Sequence, residues 1–456
     1  MRKLSKSMHL YLYDSLQQRK KILYPINDQV KMYVCGPTLY QNIHVGNARP
    51  TIVFDVLFRL LRYLYENVVY VRNITDVDDK IIRQAQLSEV SVSELTENVM
   101  QSFQEDMSAL NNIPPTFEPK ATDHIDDMIS MICSLIERGF AYEVDGNVFF
   151  DVSKFEDYGQ ISKINQSEIM SGVRVDVMDI KRNFSDFVLW KPCVDQPKWM
   201  SPWSEGRPGW HIECSAMGYK YLGKYFDIHG GGHDLMFPHH ENTNAQSRCC
   251  HSSNNLANFW MHNGMITIKS GDESDKMSKS KGNVISVKEA IKLYSAPVVR
   301  YFFLSSHYRK DVVWSHESLV QSKRSLEKLV SFCDESGAEV VDEVVLKSLM
   351  DDLNTPMAIA RLHELTKTSS DSEVEYNISR RILCASMKFL GIFNKNDVAN
   401  ADEELMAKVY LMIDERNQAK KRGDYVTADK IRKELIEIGI DLRDGKNGTQ
   451  VHFVKK

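Results

Sequence analysis

The sequence has no long hydrophobic run. A helix that crosses a membrane needs about 18 or more consecutive apolar residues, and the longest apolar region, residues 51–70, is interrupted by Asp55, Arg59, Arg62 and Glu66. The basic first residues are followed by a segment that is too short and too polar for the core of a signal peptide. We therefore expect a cytoplasmic protein with no membrane partner.

Neither sign of charge dominates, and cysteine is scarce. The chain carries 57 Lys and Arg against 62 Asp and Glu, a net charge of −5. This balance excludes nucleic-acid binding through bulk positive charge, although one face can still be basic. Eight cysteines in 456 residues are too few for a disulfide scaffold, so they are expected to be thiols, metal ligands or core residues.

What the sequence does have, near its start, is a strand–helix–strand pattern. Residues 31–35 (KMYVC) predict a strand, residues 48–65 carry apolar side chains four apart as in a helix, and residues 68–71 predict a second strand. A right-handed parallel crossover of this kind indicates an α/β fold with an open, Rossmann-type sheet. Such sheets bind ligands beyond the carboxyl ends of their strands, where Cys35 and the loop 36–47 are expected.

The remaining segments suggest several domains. Three prolines in residues 111–119 predict a boundary, and an α/β pattern resumes after residue 210, with strands at 225–228 and 264–268 and a helix at 239–250. Helices are predicted beyond Tyr308, at residues 315–332, 342–366, 378–390 and 403–422. The predicted division begins with a catalytic domain in two halves, at residues 1–120 and 206–308, with an insertion at 121–205 between them. A helical domain at 309–402 and a C-terminal domain at 403–456 follow.

Two polar motifs accompany the α/β segments, one at the start of the first crossover helix and one after the last predicted strand. His44-Val45-Gly46-Asn47 begins the first crossover helix, whose N-terminus and glycine suit a phosphate, although four residues alone also fit an ordinary helix-start turn. Lys276-Met277-Ser278-Lys279-Ser280 is either a solvated loop or a lid whose ammonium groups meet the charge developing on a pyrophosphate leaving group.

Taken together, the two motifs resemble those of the class I aminoacyl-tRNA synthetases. The resemblance implies that ATP, accompanied by Mg²⁺, is bound by His44, Gly46, Asn47, Lys276 and Lys279. It assigns catalytic roles to His44, Lys276 and Lys279. Asn47 departs from the pattern, because the family usually has a second histidine there; asparagine can donate a hydrogen bond but cannot carry charge.

A third group of segments is rich in cysteine and histidine. Cys35 follows the first strand, Cys214 lies in GWHIECS (209–215), and several histidines lie in DIHGGGHDLMFPHHEN (227–242). A lone buried cysteine is usually a core residue. Two cysteines and a histidine at the strand and helix ends of one crevice could instead gather on Zn²⁺.

These segments resemble the cysteinyl-tRNA synthetases, and the resemblance, which includes NITDVDDK (73–80), covers essentially the whole chain. It implies one zinc bound by Cys35, Cys214 and His239, with Thr75, Trp210 and His229 lining the site for L-cysteine. The chemistry agrees, because packing alone separates cysteine poorly from serine, whereas zinc prefers a thiolate.

The chain departs from this family at the fourth zinc ligand. The family has a glutamate one helical turn after the histidine, where this sequence has Thr243. Glu241 is only two residues from His239, which is about 200° around a helix, so it should point away. The fourth ligand is then expected to be water, with Glu241 as the alternative.

The tail carries a basic helix whose charges alone would suit an ordinary solvated face. With the family resemblance, it is similar to an anticodon-binding end. The residues expected to read exposed bases are Arg416, Tyr425, Asp429, Arg432 and Asp444.

The function expected from these features is ATP-dependent activation of L-cysteine and its transfer to tRNA(Cys), by a monomer. One rival is a related enzyme that joins cysteine to an amino-sugar, which the complete tail disfavours. The other is a non-catalytic zinc protein that binds RNA, which leaves His44 and the lysine loop without a role.

Overall fold

The computed structural model describes residues 9–164, 180–270, 273–276, 284–336, 340–367 and 373–393. Towards the C-terminus it describes residues 411–412, 415–416, 418–420, 422–437, 440–445 and 448–453. Within these ranges, residues 269–270, 273–276, 436–437, 440–445 and 448–453 are described as backbone.

The strands are, in chain order, β1 (Tyr11–Asp14), β2 (Arg19–Ile22), β3 (Val30–Val34), β4 (Val68–Arg72), β5 (Ala141–Val144), β6 (Asn147–Phe150), β7 (Phe187–Pro192), β8 (Gly206–Pro208), β9 (Phe226–Gly232), β10 (Ala257–Asn263), β11 (Ile266–Ser270), β12 (Glu273–Lys276), β13 (Val312–Trp314), β14 (Ile440–Gly445) and β15 (Gly448–Phe453).

The α-helices are α1 (Val45–Leu64), α2 (Asp79–Leu87), α3 (Val92–Ala109), α4 (Ile125–Glu137), α5 (Trp210–Leu222), α6 (Glu241–His251), α7 (Val287–Tyr294), α8 (Ala296–Leu304), α9 (His316–Phe332), α10 (Glu343–Met350), α11 (Thr355–Leu365), α12 (Glu373–Phe389) and α13 (Tyr425–Glu437). Among the residues that the structure describes, no helix is both long and apolar enough to cross a membrane.

A four-stranded parallel sheet in the order β10-β9-β3-β4 forms the centre of the fold. The predicted α/β fold and its first crossover are confirmed: β3 and β4 pair in parallel, with Val30 opposite Val68. Side chains alternate along β3, so that Met32 and Val34 enter one hydrophobic cluster and Tyr33 enters the other. Both faces of the sheet are therefore covered, as expected for parallel strands.

The segment 121–205 carries its own antiparallel sheet, in the order β5-β6-β7-β8. The proline-rich stretch before it does not simply leave the central parallel sheet. Phe117 forms a parallel bridge with Val71, and Lys120 forms one with Ile74. The chain thus continues along the edge of β4 before it enters the insertion.

The single helix predicted over residues 342–366 is wrong. The chain forms α10 and α11 instead, because Asp352 and Leu353 have φ values of 61° and 49°, in the left-handed region that a continuing helix cannot use. Asn354 then begins α11 by accepting the N–H of Met357 at 3.2 Å. The apolar spacing runs through this break, so periodicity alone does not reveal it.

Candidate functional site

Two thiols meet at the carboxyl end of the central sheet. Cys35 is the residue after β3, and its N–H donates to Gly230 O of β9 at 3.1 Å. Cys214 lies in the second turn of α5, 3 % exposed, and its Sγ is 3.6 Å from Cys35 Sγ. The sheet edge and a helix that packs across it therefore bring together two cysteines that are 179 residues apart.

A buried histidine completes this cluster. His239 lies in a kinked turn at Met236–His240, in which Phe237 is extended, just before α6. Together with Cys35 and Cys214 it forms a group whose ligand atoms all lie within 4.8 Å of one another. His239 Nδ1 is 2.9 Å from His211 Nδ1, which leaves Nε2 as the nitrogen for a metal. Trp210 stacks on the His239 ring at 4.5 Å.

The two thiols differ in their acidity. Burial, with the hydrogen bond to Cys214, raises the pKa of Cys35 well above its usual value. For Cys214 burial acts in the same direction, but the hydrogen bond with Cys35 and the nearby His239 outweigh it and hold its pKa well below the usual value. The lowered pKa favours the thiolate form of Cys214, which is the form that binds a metal.

His229 lies beside the thiols with no hydrogen-bond partner. It is 1 % exposed, both of its ring nitrogens are unsatisfied, and its ring stacks on Trp260 at 4.5 Å. Burial holds its pKa well below the usual value, so the ring is neutral. A buried polar group is normally hydrogen-bonded, and two unsatisfied nitrogens therefore point to a missing ligand.

Thr75 contacts the same end of the sheet. Its hydroxyl donates to Glu213 at 2.6 Å, and Glu213 is the neighbour of Cys214 in α5. Burial raises the pKa of Glu213 well above its usual value. The predicted residues Cys35, Cys214, His239, Thr75, Trp210 and His229 all lie on segments that end at this edge of the sheet.

The two residues considered for the fourth ligand are both engaged elsewhere. The Glu241 carboxylate accepts the N–H groups of Gly159, Ile161 and Ser162 at 2.9 to 3.3 Å, so it points away from the thiols, as its spacing predicted. Thr243 donates its hydroxyl to His239 O at 2.9 Å. This bond supports the turn that carries His239.

The other end of the crevice is formed by the start of α1. His44 is the N-cap residue of that helix and Asn47 lies in its first turn, exposed. Val45 N–H donates to Ile285 O at 3.0 Å and Val287 N–H donates to Ile43 O at 3.1 Å. The chain that leaves the lysine loop is thus hydrogen-bonded to the His44 motif, although the two are separated by about 240 residues in sequence.

Of the two lysines of the loop, the structure describes only the backbone of the first. Lys276 is the last residue of β12, which pairs with β11, and its backbone alone is described. Lys279 lies outside the described residues. The roles of both lysines stay predictions.

The five tail residues expected to contact the anticodon differ in their exposure to solvent. Tyr425 begins α13 and is 65 % exposed, and Asp429 on the same helix is also exposed. Arg432 is half-buried and Arg416 is 2 % exposed, while Asp444 belongs to β14, which is described as backbone. An exposed tyrosine and aspartate on one helix suit contacts with a base; a buried arginine suits them less.

Sequence reasoning missed four residues around the thiols. His211 faces His239 and Glu213 faces Thr75, while His240 and His262 lie 2.8 Å apart at the end of the parallel sheet. The signal was present in the density of histidines within residues 211–262. Which of them face the thiols depends on the kinked turn at Met236–His240 and on the β9–β10 pairing, which no spacing rule provides.

The chemistry of this donor set fits zinc. Thiolate and imidazole ligands select zinc over magnesium and calcium, and the two sulfurs, with His239, have the separations that a tetrahedral ion needs.

The chain matches known synthetases over most of its length. Residues 23–324 match the family described as "tRNA synthetases class I (C) catalytic domain". A cysteine–tRNA ligase of Saccharophagus degradans is 45 % identical, with 97 % of this chain and 99 % of that protein covered. One from Pelagibacter ubique is 43 % identical, with 98 % and 99 % covered.

The fold is shared with other solved synthetases. Methionyl-tRNA synthetase of Mycobacterium tuberculosis, in complex with methionyl-adenylate, superposes with a TM-score of 0.53 at 16 % identity. The match covers 88 % of this chain and 96 % of that one.

Proposed function

The chain belongs to the cysteine–tRNA ligases, a family of class I tRNA synthetases, and we propose that its crevice activates L-cysteine with ATP and transfers it to tRNA(Cys). The observation that carries this proposal is the meeting of Cys35 Sγ and Cys214 Sγ at 3.6 Å, with His239 beside them, at the carboxyl edge of the parallel sheet. A thiol-selective site at that edge is what a synthetase for cysteine needs.

Cysteine recognition is assigned to the buried end. Cys35, Cys214 and His239 would hold a zinc ion, which when bound supplies a soft Lewis acid that prefers the substrate thiol to the hydroxyl of serine. Trp210 holds the His239 ring by stacking, and Thr75 and His229 are assigned to orient the substrate. The two unsatisfied nitrogens of His229 offer one donor and one acceptor in this buried site.

ATP binding is assigned to the start of α1. The positive end of the helix dipole favours the phosphates. The cysteine carboxylate attacks the α-phosphorus in line, forming a P–O bond while the bond to the β-phosphate oxygen breaks and pyrophosphate leaves. His44, Lys276 and Lys279 are assigned to stabilise the charge on the leaving group, and Mg²⁺ would accompany the nucleotide.

The second step uses the tRNA. A hydroxyl of the terminal adenosine attacks the cysteinyl carbonyl, and AMP leaves. Anticodon recognition is assigned to the tail, with Tyr425 stacking on an unpaired base and Asp429 and Arg432 contacting base edges. Arg416 and Asp444 complete the assigned set, Arg416 from a buried position. We assign the reaction to a cytoplasmic monomer.

Cysteine-dependent exchange of pyrophosphate into ATP tests this function when it is measured together with metal content. We expect exchange with cysteine and not with serine, in protein that holds one zinc per chain. Charging of tRNA(Cys) and not of an amino-sugar separates this function from the related ligase. Absence of cysteine-dependent exchange would contradict the proposal.

A further inference from the structure

A buried arginine of the first helix binds the two chain segments that lead into strands β11 and β13. Arg49 lies in the second turn of α1 and is 1 % exposed. Its Nη1 donates to Gly264 O at 2.7 Å and to Met265 O at 2.8 Å. Its Nη2 donates to Tyr308 O at 3.3 Å and also to Lys310 O. One guanidinium therefore joins α1 to the start of β11 and to the segment before β13.

These contacts depend on the shape of the arginine side chain. A guanidinium is planar and offers its N–H groups in a fixed fork, so that two nitrogens can each bind a different segment. A lysine has a single nitrogen and could not hold both segments in the same way. Burial lowers the pKa of Arg49 to about 10, so the group is still charged near neutral pH and its hydrogen bonds to the carbonyls are charge-assisted.

The two segments approach each other closely where the arginine binds them. A Cβ on Gly264 would lie 2.5 Å from Lys310 O, which is closer than the two atoms can come without displacement. Met265 N–H donates to the Asp311 carboxylate at 2.7 Å. Immediately afterwards β11 and β13 pair in parallel. Arg49 therefore binds the junction at which this small sheet begins.

The same sheet carries the first lysine assigned to activation. Strand β12 pairs antiparallel with β11, and Lys276, its last residue, lies opposite Thr267. Thr267 is two residues after Met265, so the position of the Lys276 backbone depends on where Arg49 holds β11. The chain that leaves the lysine loop is hydrogen-bonded to the start of α1, as described above. The beginning of α1 thus holds the chain on both sides of this loop.

We infer that Arg49 is a positioning residue for amino-acid activation: it fixes the base of the β11–β12 hairpin against α1 and so sets where Lys276 lies relative to a nucleotide bound at His44. This inference rests on the proposed function and adds a residue to its ATP end. Arg49 acts through the backbone, because its guanidinium is buried and binds carbonyl oxygens. Its loss should therefore slow the chemical step more than it weakens substrate binding.

Single-turnover formation of cysteinyl-adenylate by the full-length Arg49→Lys protein tests this inference. We expect the rate constant to fall about 10-fold or more, because misplacing a catalytic group by about 1 Å can cost about 10²-fold. The Kd for ATP and the Kd for cysteine should change less than about twofold, since an interaction made only in the transition state contributes little to ground-state binding. An unchanged rate constant, or a loss confined to the Kd for ATP, would overturn the inference.

The matched control is another buried arginine, Arg300 of α8. Arg300 is fully buried, and its guanidinium donates to Leu390 O at 2.8 Å and to Leu110 O at 3.1 Å, neither of which belongs to the hairpin. Because Arg49→Lys and Arg300→Lys each remove a buried fork, both should lower the Tm. Only Arg49→Lys should slow activation at a temperature well below both transitions. Equal slowing by Arg300→Lys would show that activation follows stability, and would overturn the inference.

A double-mutant cycle shows whether Arg49 acts through the lysine. In the Lys276→Ala protein, Arg49→Lys should slow activation further by less than about threefold, because residues that act through one another are not additive. The full loss of about 10-fold in that protein would mean that Arg49 acts independently of Lys276, against the inference. A normal rate in Lys276→Ala alone would remove the lysine from the mechanism and the inference with it.

A second variant keeps the test available if Arg49→Lys does not fold. Asp311 is exposed and accepts the N–H of Met265 at the same junction, so Asp311→Ala changes no buried side chain. It should slow activation about threefold, less than Arg49→Lys because the arginine still binds both segments. This effect should also disappear in the Lys276→Ala protein, and its persistence there would overturn the inference. Wild-type protein without cysteine-dependent exchange would instead contradict the proposed function.

Discussion

The two ends of the crevice are constructed differently. At the thiol end, Cys214, His229, His239 and His240 are all buried to within 3 % of full burial, and three segments of the chain hold them. At the phosphate end, His44 and Asn47 lie at the start of one helix, and Asn47 is exposed. The end proposed to distinguish sulfur from oxygen is therefore buried, whereas the end proposed to bind ATP lies at the partly exposed start of a helix.

The largest effect is expected from breaking the thiol end. Cys214→Ser should lower cysteine-dependent pyrophosphate exchange by at least about 10³-fold, or about 4 kcal/mol of transition-state stabilisation, because the thiolate ligand is lost. Zinc content should fall with it, while ATP binding persists. The control is Cys193→Ser, a half-buried cysteine of the insertion. An active, zinc-free Cys214→Ser protein would remove the metal from recognition.

At the phosphate end we expect slower activation without loss of zinc. Lys279→Ala should slow adenylate formation about 10²-fold, as for the loss of one group that stabilises transition-state charge. Zinc content and the Kd for cysteine should not change, because the thiol end is separate. Lys281→Ala, from the same loop, serves as the control. An unchanged single-turnover rate would exclude Lys279 from the mechanism.

A smaller effect, confined to charging, is expected from the tail. Deleting residues 424–456 should leave pyrophosphate exchange intact and lower tRNA charging about 10-fold or more, since each lost base contact is worth ~1–3 kcal/mol. Tyr425→Ala and Tyr425→Phe form a matched pair, of which only the first loses the stacking ring. If exchange falls as much as charging, the tail supports the catalytic domain instead.

The smallest effect is expected from Asn47→His. The Asn47 side chain is exposed, and its bond to the His44 N–H is long, at 3.4 Å, so the change in KM for ATP should be less than about fivefold. A histidine can gain a positive charge as the pH falls, so any improvement should be larger at pH 6 than at pH 8. A change above about tenfold would show that this residue contacts the nucleotide directly.

The order of the segments and the chemistry of several residues could be read from the sequence. The strand at 31–35 matches β3, the helix at 48–65 matches α1 apart from its first turn, and the pairing of β3 with β4 is parallel as predicted. The predicted zinc ligands Cys35, Cys214 and His239 do meet. The spacing of apolar residues was sufficient to predict these strands and this helix, because regular elements are encoded by local hydrophobic periodicity.

The break at Asp352 and the surroundings of the thiols could not be read in this way. Asp352 leaves the helix because its carboxylate accepts the N–H of Tyr13 and the hydroxyl of Tyr308, both at 2.8 Å, and these partners are distant in sequence. His240 could not be distinguished from its neighbour His239 by spacing, because the kinked turn at Met236–His240 decides where each ring points.

The sequence by itself determined the α/β class, the crossover and the presence of thiols, imidazoles and lysines suited to activating cysteine, because local periodicity and side-chain chemistry belong to the residues themselves. The tertiary structure alone decided which of these groups share a site. Contacts such as Cys35 with Cys214, His44 with the end of the lysine loop and His240 with His262 join segments far apart in the chain. Their formation depends on how the packed sheet and helices bury them together.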